Sequence, residues 1–151
     1  MLLDSRLVPQ AIVKPNSFVG LMALYESNYL RLLRLVPELE RLDGCFRSRV
    51  AGDCELFVDV LDRSRYTITL ALTYHFETSE GRLADPDMQV RAYLDGRLAE
   101  AMSIGGKHRH TMLRRLLRVG RRTLDARWKR NVVLNKWLEY LTDQGHLILE
   151  R

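Results

Sequence analysis

The sequence predicts an α+β fold: an N-terminal helix, an antiparallel meander sheet of four to five strands, and C-terminal helices packed on one sheet face. Three observations carry this. Apolar residues recur every three or four positions from Phe18 to Val36, every second position between Gly44 and Ser103, and again at helical spacing beyond Met112. A chain of 151 residues is the size of one ordinary domain, so residues 1–151 are read as a single unit with a core of its own.

Residues 1–16 form a loose segment broken by Pro9 and Pro15. A helix over residues 17–36 follows, because Phe18, Leu21, Met22, Tyr25, Tyr29, Leu32, Leu33 and Val36 make one stripe. Ser17 is its N-cap and Pro37 its stop. Glu26, Arg31 and Arg34 fall off most of the stripe and are expected in solvent.

The sheet is expected over residues 44–103. Cys54, Leu56, Val58 and Val60 alternate with Glu55, Phe57, Asp59 and Leu61. After a turn at Asp62-Arg63-Ser64, Tyr66, Ile68, Leu70, Leu72, Tyr74 and Phe76 alternate with small, polar and β-branched residues. A loop from Thr78 to Asp87, carrying Gly81 and Pro86, leads to a last hairpin. There Asp95-Gly96 predicts a two-residue type I′ turn. This register sets Ala92 against Ala99, Val90 against Ala101, Tyr93 against Leu98 and Arg91 against Glu100, the last an opposite-charge pair with a structural role.

Residues 107–145 are expected as a basic helical region. Met112, Leu113, Leu116 and Leu117 suggest a short helix that Gly120 breaks. Asp125 then starts a long one with the stripe Trp128, Val132, Leu134, Trp137, Leu138 and Leu141, closed by Gly145. The tail from His146 to Leu149 adds an edge strand or plugs the core.

With 46% hydrophobic and 28% charged residues, the composition excludes a disordered or collagenous chain. No apolar stretch is long enough to span a bilayer, and Asp4 stands where a secretory leader carries cations, so a cytoplasmic location without membrane contact is expected. The two cysteines, Cys45 and Cys54, are expected as buried thiols. A hairpin at Gly52-Asp53 would set Cys45 opposite Val60, roughly 20 Å along the ladder from Cys54 and beyond disulfide reach.

A family resemblance rests on specific runs. Met22-Ala-Leu-Tyr-Glu-Ser-Asn28-Tyr29 leads to Leu35-Val36-Pro37 and then Ser64-Arg65-Tyr66-Thr67. Pro86-Asp-Met88-Gln-Val90-Arg91-Ala-Tyr93-Leu-Asp95 follows, then Ala99-Glu100, Asn131, Leu134 and Trp137-Leu138. In this order, from about Ser17 to His146, the chain resembles the YqiB-like proteins of proteobacteria. That family is a domain of unknown function, so the resemblance implies no activity, ligand or catalytic residue. Asp125-Ala126-Arg127 departs from the family's more acidic helix start.

The charge distribution is the strongest functional signal. Lys107, Arg109, Arg114, Arg115, Arg118, Arg121, Arg122, Arg127, Lys129 and Arg130 face one acid, Asp125, within 24 residues. The rest of the chain holds 14 basic and 18 acidic residues, so the net charge of +5 belongs to this segment. Clustered cations suit a polyanion, because phosphates release their counterions on contact. The same run also reads as a solvated helical face.

Other chemistry lacks its signals. Gly105-Gly106-Lys107 is no phosphate loop, since His108 replaces Ser or Thr and Ala101 the first Gly. His108 and His110 lack a third metal ligand. His75 is read as a hydrogen-bonded sheet residue, and the pairs Asp59 with Asp62 and Asp85 with Asp87 as turn residues.

Two functions follow as expectations. The first is a small non-enzymatic binding or adaptor domain contacting nucleic acid or an acidic protein through the basic region. The second is a small-molecule or nucleotide domain, a sensor or hydrolase, with a pocket on the polar sheet face lined by Arg65, Tyr66, Arg91, Tyr93 and Glu100. No cofactor or metal is expected in either, and nothing in the sequence sets the oligomeric state.

Overall fold

A computed structural model describes residues 17–105 and 123–149. Helix α1 (Phe18–Leu35) and a 3₁₀ turn (Leu39–Arg41) precede strands β1 (Cys45–Ser48), β2 (Glu55–Arg63), β3 (Thr67–Thr78), β4 (Gly81–Tyr93) and β5 (Leu98–Gly105). Helix α2 (Thr123–Asp143) is the last regular element, followed by a short tail. The strands form one antiparallel sheet in the order β1-β2-β3-β4-β5, the expected meander.

The caps follow from sequence. Ser17 Oγ accepts the Gly20 N–H at 3.0 Å, satisfying one of the free donors of the first turn of α1. The helix ends at Leu35, two residues before Pro37. At the other end of the chain, Gly145 takes φ 98°. His146 N then donates to Leu141 O and Gly145 N to Thr142 O, the paired bonds of a Schellman cap.

Both helices lie on one sheet face. Tyr29, Leu32 and Leu35 from α1 and Leu134, Trp137, Leu138 and Leu141 from α2 share a core with Leu56, Val58, Ile68, Leu70, Leu72, Met88 and Val90. A smaller cluster joins Leu21, Leu24 and Tyr25 to Trp128 and Val132. With Asn28 bonded to Asn131 and Arg31 paired to Glu139, residue order rises together on both helices, so α1 and α2 run parallel.

Several expectations are corrected. The segment from Thr78 to Asp87 is not a loop: β4 begins at Gly81 and pairs with β3 throughout, Thr78 opposite Gly81 and Thr73 opposite Asp87. Pro86 fits because the register shifts between Thr73 and His75, and a bulge spares proline the ladder bond it cannot donate. Asp85, within this strand, is buried, and Asp59 and Asp62 lie within β2, so none of these is a turn residue. The β2–β3 turn is correspondingly later, with β2 running to Arg63, and Tyr66 lies outside β3, half exposed.

In the last hairpin all four predicted pairs are present. The turn is longer, however, spanning Leu94 to Arg97, and its left-handed residue is Arg97 (φ 55°) rather than Asp95 or Gly96. At β1, Cys45 pairs with Asp59, not Val60. A one-residue shift reverses the face, and Cys45 is exposed rather than buried. Both thiols are free, as expected, and Cys54 is half-buried.

Arg31 departs from the solvent position given to it. It is 3% exposed and pairs with Glu139 at 3.5 Å, because α2 covers that side of α1. Phe18, counted in the buried stripe, is exposed. Helix α2 begins at Thr123, one half-turn before Asp125. The tail plugs the core: Ile148 is buried and its N–H donates to Leu35 O at 2.8 Å.

Candidate functional site

An outer strand of an open sheet leaves N–H and C=O groups unpaired. At β5 side chains from the helices take the place of a sixth strand. Asn131 Oδ1 accepts Ala101 N–H at 2.8 Å, and Asn28 Nδ2 donates to Ala99 O at 3.4 Å and to Asn131 Oδ1 at 3.2 Å. Asn135 Nδ2 extends the network to Asn28 Oδ1 and Ser27 Oγ, and Asn131 Nδ2 returns to Arg127 O at 2.8 Å. All four polar side chains are buried, so the start of α2 is fixed against β5 by directional bonds as well as by packing.

This docking brings charged and hydroxyl groups together beside β5. Ala99 and Ala101 face the core, which turns Glu100 to the opposite side. Its carboxylate accepts Tyr93 OH at 2.6 Å, and the Tyr25 hydroxyl of α1 faces it as well. Burial first, then Glu100, pushes the Tyr25 hydroxyl up to about 12 against the opposing pull of Arg127 and Arg130. Those two arginines of α2 are therefore within electrostatic range of Tyr25. Burial and Glu100 raise Tyr93 too, while Arg91 opposes through a hydrogen bond. Arg91 Nε reaches Thr69 Oγ1 at 3.3 Å.

Arg91, Tyr93 and Glu100 from the sheet-face set are neighbours on β4 and β5, and Tyr25, beside Glu100, also feels the charge of Arg127 and Arg130 from the basic run, with Lys129 between those two in α2. Arg127 is exposed, whereas the Nε of Arg130 is sealed from solvent without a hydrogen-bond partner. Arg65 and Tyr66 are exposed at the β2–β3 turn, with the guanidinium 5.1 Å from the Tyr66 ring centroid and Tyr66 O accepting the N–H of Leu94, next to Tyr93. Lys107, Arg109, Arg114, Arg115, Arg118, Arg121 and Arg122 lie outside the described residues, as do His108 and His110. His75 is not the hydrogen-bonded residue expected. Its ring packs edge-on to Phe57 at 4.3 Å, and its Nδ1 is buried without a partner.

Sequence reasoning missed a second polar centre. His146 Nδ1 lies 2.9 Å from Ser48 Oγ, and its Nε2 lies 2.8 Å from Asp53 Oδ2. Tyr74 OH also bonds Asp53 Oδ2, and Tyr140 OH reaches Oδ1 at 3.4 Å. Burial works against ionisation of Asp53, yet bonds from Tyr74, the Cys54 N–H and His146 hold its carboxyl below the usual range. The order hydroxyl, imidazole, carboxylate is that of a nucleophile with its base. The His146 side chain is 0% exposed, and Ser48 Oγ already accepts Leu147 N–H, so the arrangement fastens the tail to β1. Ser48 and His146 stand 98 positions apart in unrelated contexts, and no local motif announces them. Among the described residues, no group of three His, Cys, Asp or Glu is placed to hold a metal. No helix among them is long and apolar enough to cross a membrane.

Comparison with known proteins adds one match. The model of a family described as a protein of unknown function (DUF1249) fits residues 31–147, which include β1 to β5, α2 and both polar centres except Tyr25, Ser27 and Asn28. No curated protein and no solved structure matches the chain.

Proposed function

We propose a function for this chain from the premise that it belongs to that family of unknown function, DUF1249. Within it we read the chain as a YqiB-like proteobacterial member, on the runs around Asn28, Arg91 and Asn131. The proposed role is that of a small cytoplasmic, non-enzymatic binding domain whose basic region, leading into α2, contacts a polyanion. Nucleic acid is the partner favoured, with an acidic protein the other candidate.

The observation that supports this reading is the meeting of the cationic run with the sheet. Arg127 and Arg130 continue the charge of residues 107–122 and act on the Tyr25 hydroxyl, which lies beside Glu100 of β5. Glu100 accepts the Tyr93 hydroxyl and faces that of Tyr25, which orients both rings beside β5. Helix α2 is held rigidly by Asn131, and a rigid cationic surface loses little freedom on binding.

The small-molecule alternative draws on the same Arg91, Tyr93 and Glu100, with Arg65 and Tyr66 exposed at the neighbouring β2–β3 turn. Fluorescence anisotropy with labelled single-stranded and duplex oligonucleotides over a salt series tests the preferred reading. Binding with log Kd linear in log salt supports it. No binding tighter than about 10⁻⁴ M at low salt contradicts the nucleic-acid form. An acidic protein captured under the same conditions would then identify the other partner class.

A further inference from the structure

We propose that the free edge of β1 receives an extended acidic segment of a partner protein as an added strand of the sheet. The proposal goes beyond the polyanion reading and does not depend on it. Strand β1 ends the sheet on one side. Gly44 O accepts Val60 N–H at 2.9 Å, and the same register sets Phe46 opposite Val58 and Ser48 opposite Leu56. Bonded and unbonded pairs alternate in an antiparallel ladder, so Phe46 and Ser48 turn their main-chain groups toward β2. Cys45 and Arg47 turn theirs outward, and both residues are exposed.

The two ends of the sheet differ in this respect. At β5, Asn131 and Asn28 bond Ala101 N and Ala99 O. At β1 the tail passes without pairing, since Leu147 N–H goes to the Ser48 hydroxyl and Ile148 N–H to Leu35 O. Exposed donors and acceptors along an outer strand are a template for strand addition.

The side chains set the chemistry of the added strand. Phe46 packs against the core and Ser48 is buried, so Cys45 and Arg47 lie on the face away from the helices. Arg49 and Arg82 both bond Glu55, and Arg82 also pairs with Glu77. Arg47 has no salt bridge to a described residue; its guanidinium lies 6.0 Å from the Phe57 ring centroid. A carboxylate on the added strand would pair with Arg47 across the seam. On the helix side, Phe46 is half-buried and Leu147 exposed, which suits apolar side chains at the alternate positions. A second copy in this place would bring Arg47 and Arg49 of both chains to one seam, which like charges disfavour.

The test uses the full chain and a fluorescein-labelled short peptide of alternating Val and Glu, with a peptide of alternating Val and Lys as control. Anisotropy is expected to show binding of the Glu peptide alone. Amide hydrogen exchange followed by NMR should slow at Cys45 and Arg47 when that peptide is added. Arg47→Gln should weaken binding about two- to fivefold through the lost ion pair. Arg47→Pro should weaken it by about a further three- to tenfold, because it also removes the outward N–H. Proline is accepted where an edge N–H faces solvent, so both variants should melt near the native temperature.

Equal binding of the two peptides, binding without slowed exchange at Cys45 and Arg47, or no binding of either peptide overturns the proposal. Self-association of the native chain that slows the same two amides assigns the edge to a second copy and overturns it as well. Should Arg47→Pro fail to fold, Arg47→Gln and exchange in the native chain decide the question.

Discussion

Asn131 Oδ1 lies 2.8 Å from Ala101 N, where the carbonyl of a further strand would lie. The bond ties the end of the meander to the helix that carries the last arginines of the basic run. Asn131→Leu should leave Ala101 N–H without its acceptor, while Asn28 Nδ2 keeps Ala99 O. A buried donor left without a partner costs roughly 1–3 kcal/mol, and a destabilisation of about that size is expected in urea denaturation. Asn131→Asp keeps an acceptor and should lose less. A midpoint unchanged in Asn131→Leu would mean the edge is not closed by this residue.

Asp53 ties acid stability to the C-terminal tail. Its folded carboxyl ionises at a lower pH than the unfolded one, so its contribution is complete above about pH 5 and disappears as pH falls through the folded value. Asp53→Asn should therefore be less stable than the native sequence at neutral pH, with the gap narrowing as pH falls below about 4. Urea melts over that range measure it. A gap independent of pH would contradict the role of the ionised carboxylate.

The Tyr25 hydroxyl, pushed up to about 12, should ionise well after a free tyrosine. Because the folded value lies above the unfolded one, its contribution is present below about pH 10 and lost as pH rises toward the folded value. Ultraviolet titration of Tyr25→Phe against the native sequence isolates it. Glu100→Gln should lower this pKa, since burial then acts without the neighbouring charge. No change in Glu100→Gln would place Glu100 away from Tyr25.

Cys45 is exposed but bonded to Asp59 Oδ1 at 3.0 Å, and this bond to the carboxylate raises its pKa. A thiol reagent at pH 8 should react slowly with Cys45 and faster in Asp59→Ala, with two thiols per chain recovered on denaturation. Equal rates in the two proteins would show that Asp59 does not control the thiol.

Much of the fold is legible in the sequence because its periodicities are local. Ser17 and Pro37 mark the ends of α1, and Asp95-Gly96 places the last hairpin well enough to pair Arg91 with Glu100. The departures arise where a distant partner decides the outcome. Pro86 resembles a loop residue because the bulge that accommodates it depends on pairing with β3. Arg31 reads as solvated because Glu139, which pairs with it, lies 108 positions later. In the candidate site, charge density identifies Arg127 and Arg130, but the stripe shows Tyr25 only as a core residue. Its relation to Glu100 emerges when α1 and α2 are laid beside β5. Ser48, Asp53 and His146 come together through the chain's closure, which no short spacing encodes.

The central claim, a polyanion contact at the basic run and the start of α2, is tested most directly by the salt slope of oligonucleotide binding. Anisotropy is followed from about 50 to 200 mM salt for the native chain and for a variant with Arg127 and Arg130 both changed to Gln. The native protein should give a linear log–log plot, and the variant weaker binding with a slope reduced by about one unit for each phosphate it no longer neutralises. Identical slopes and affinities in the two proteins, or no binding at about 50 mM salt, would contradict it.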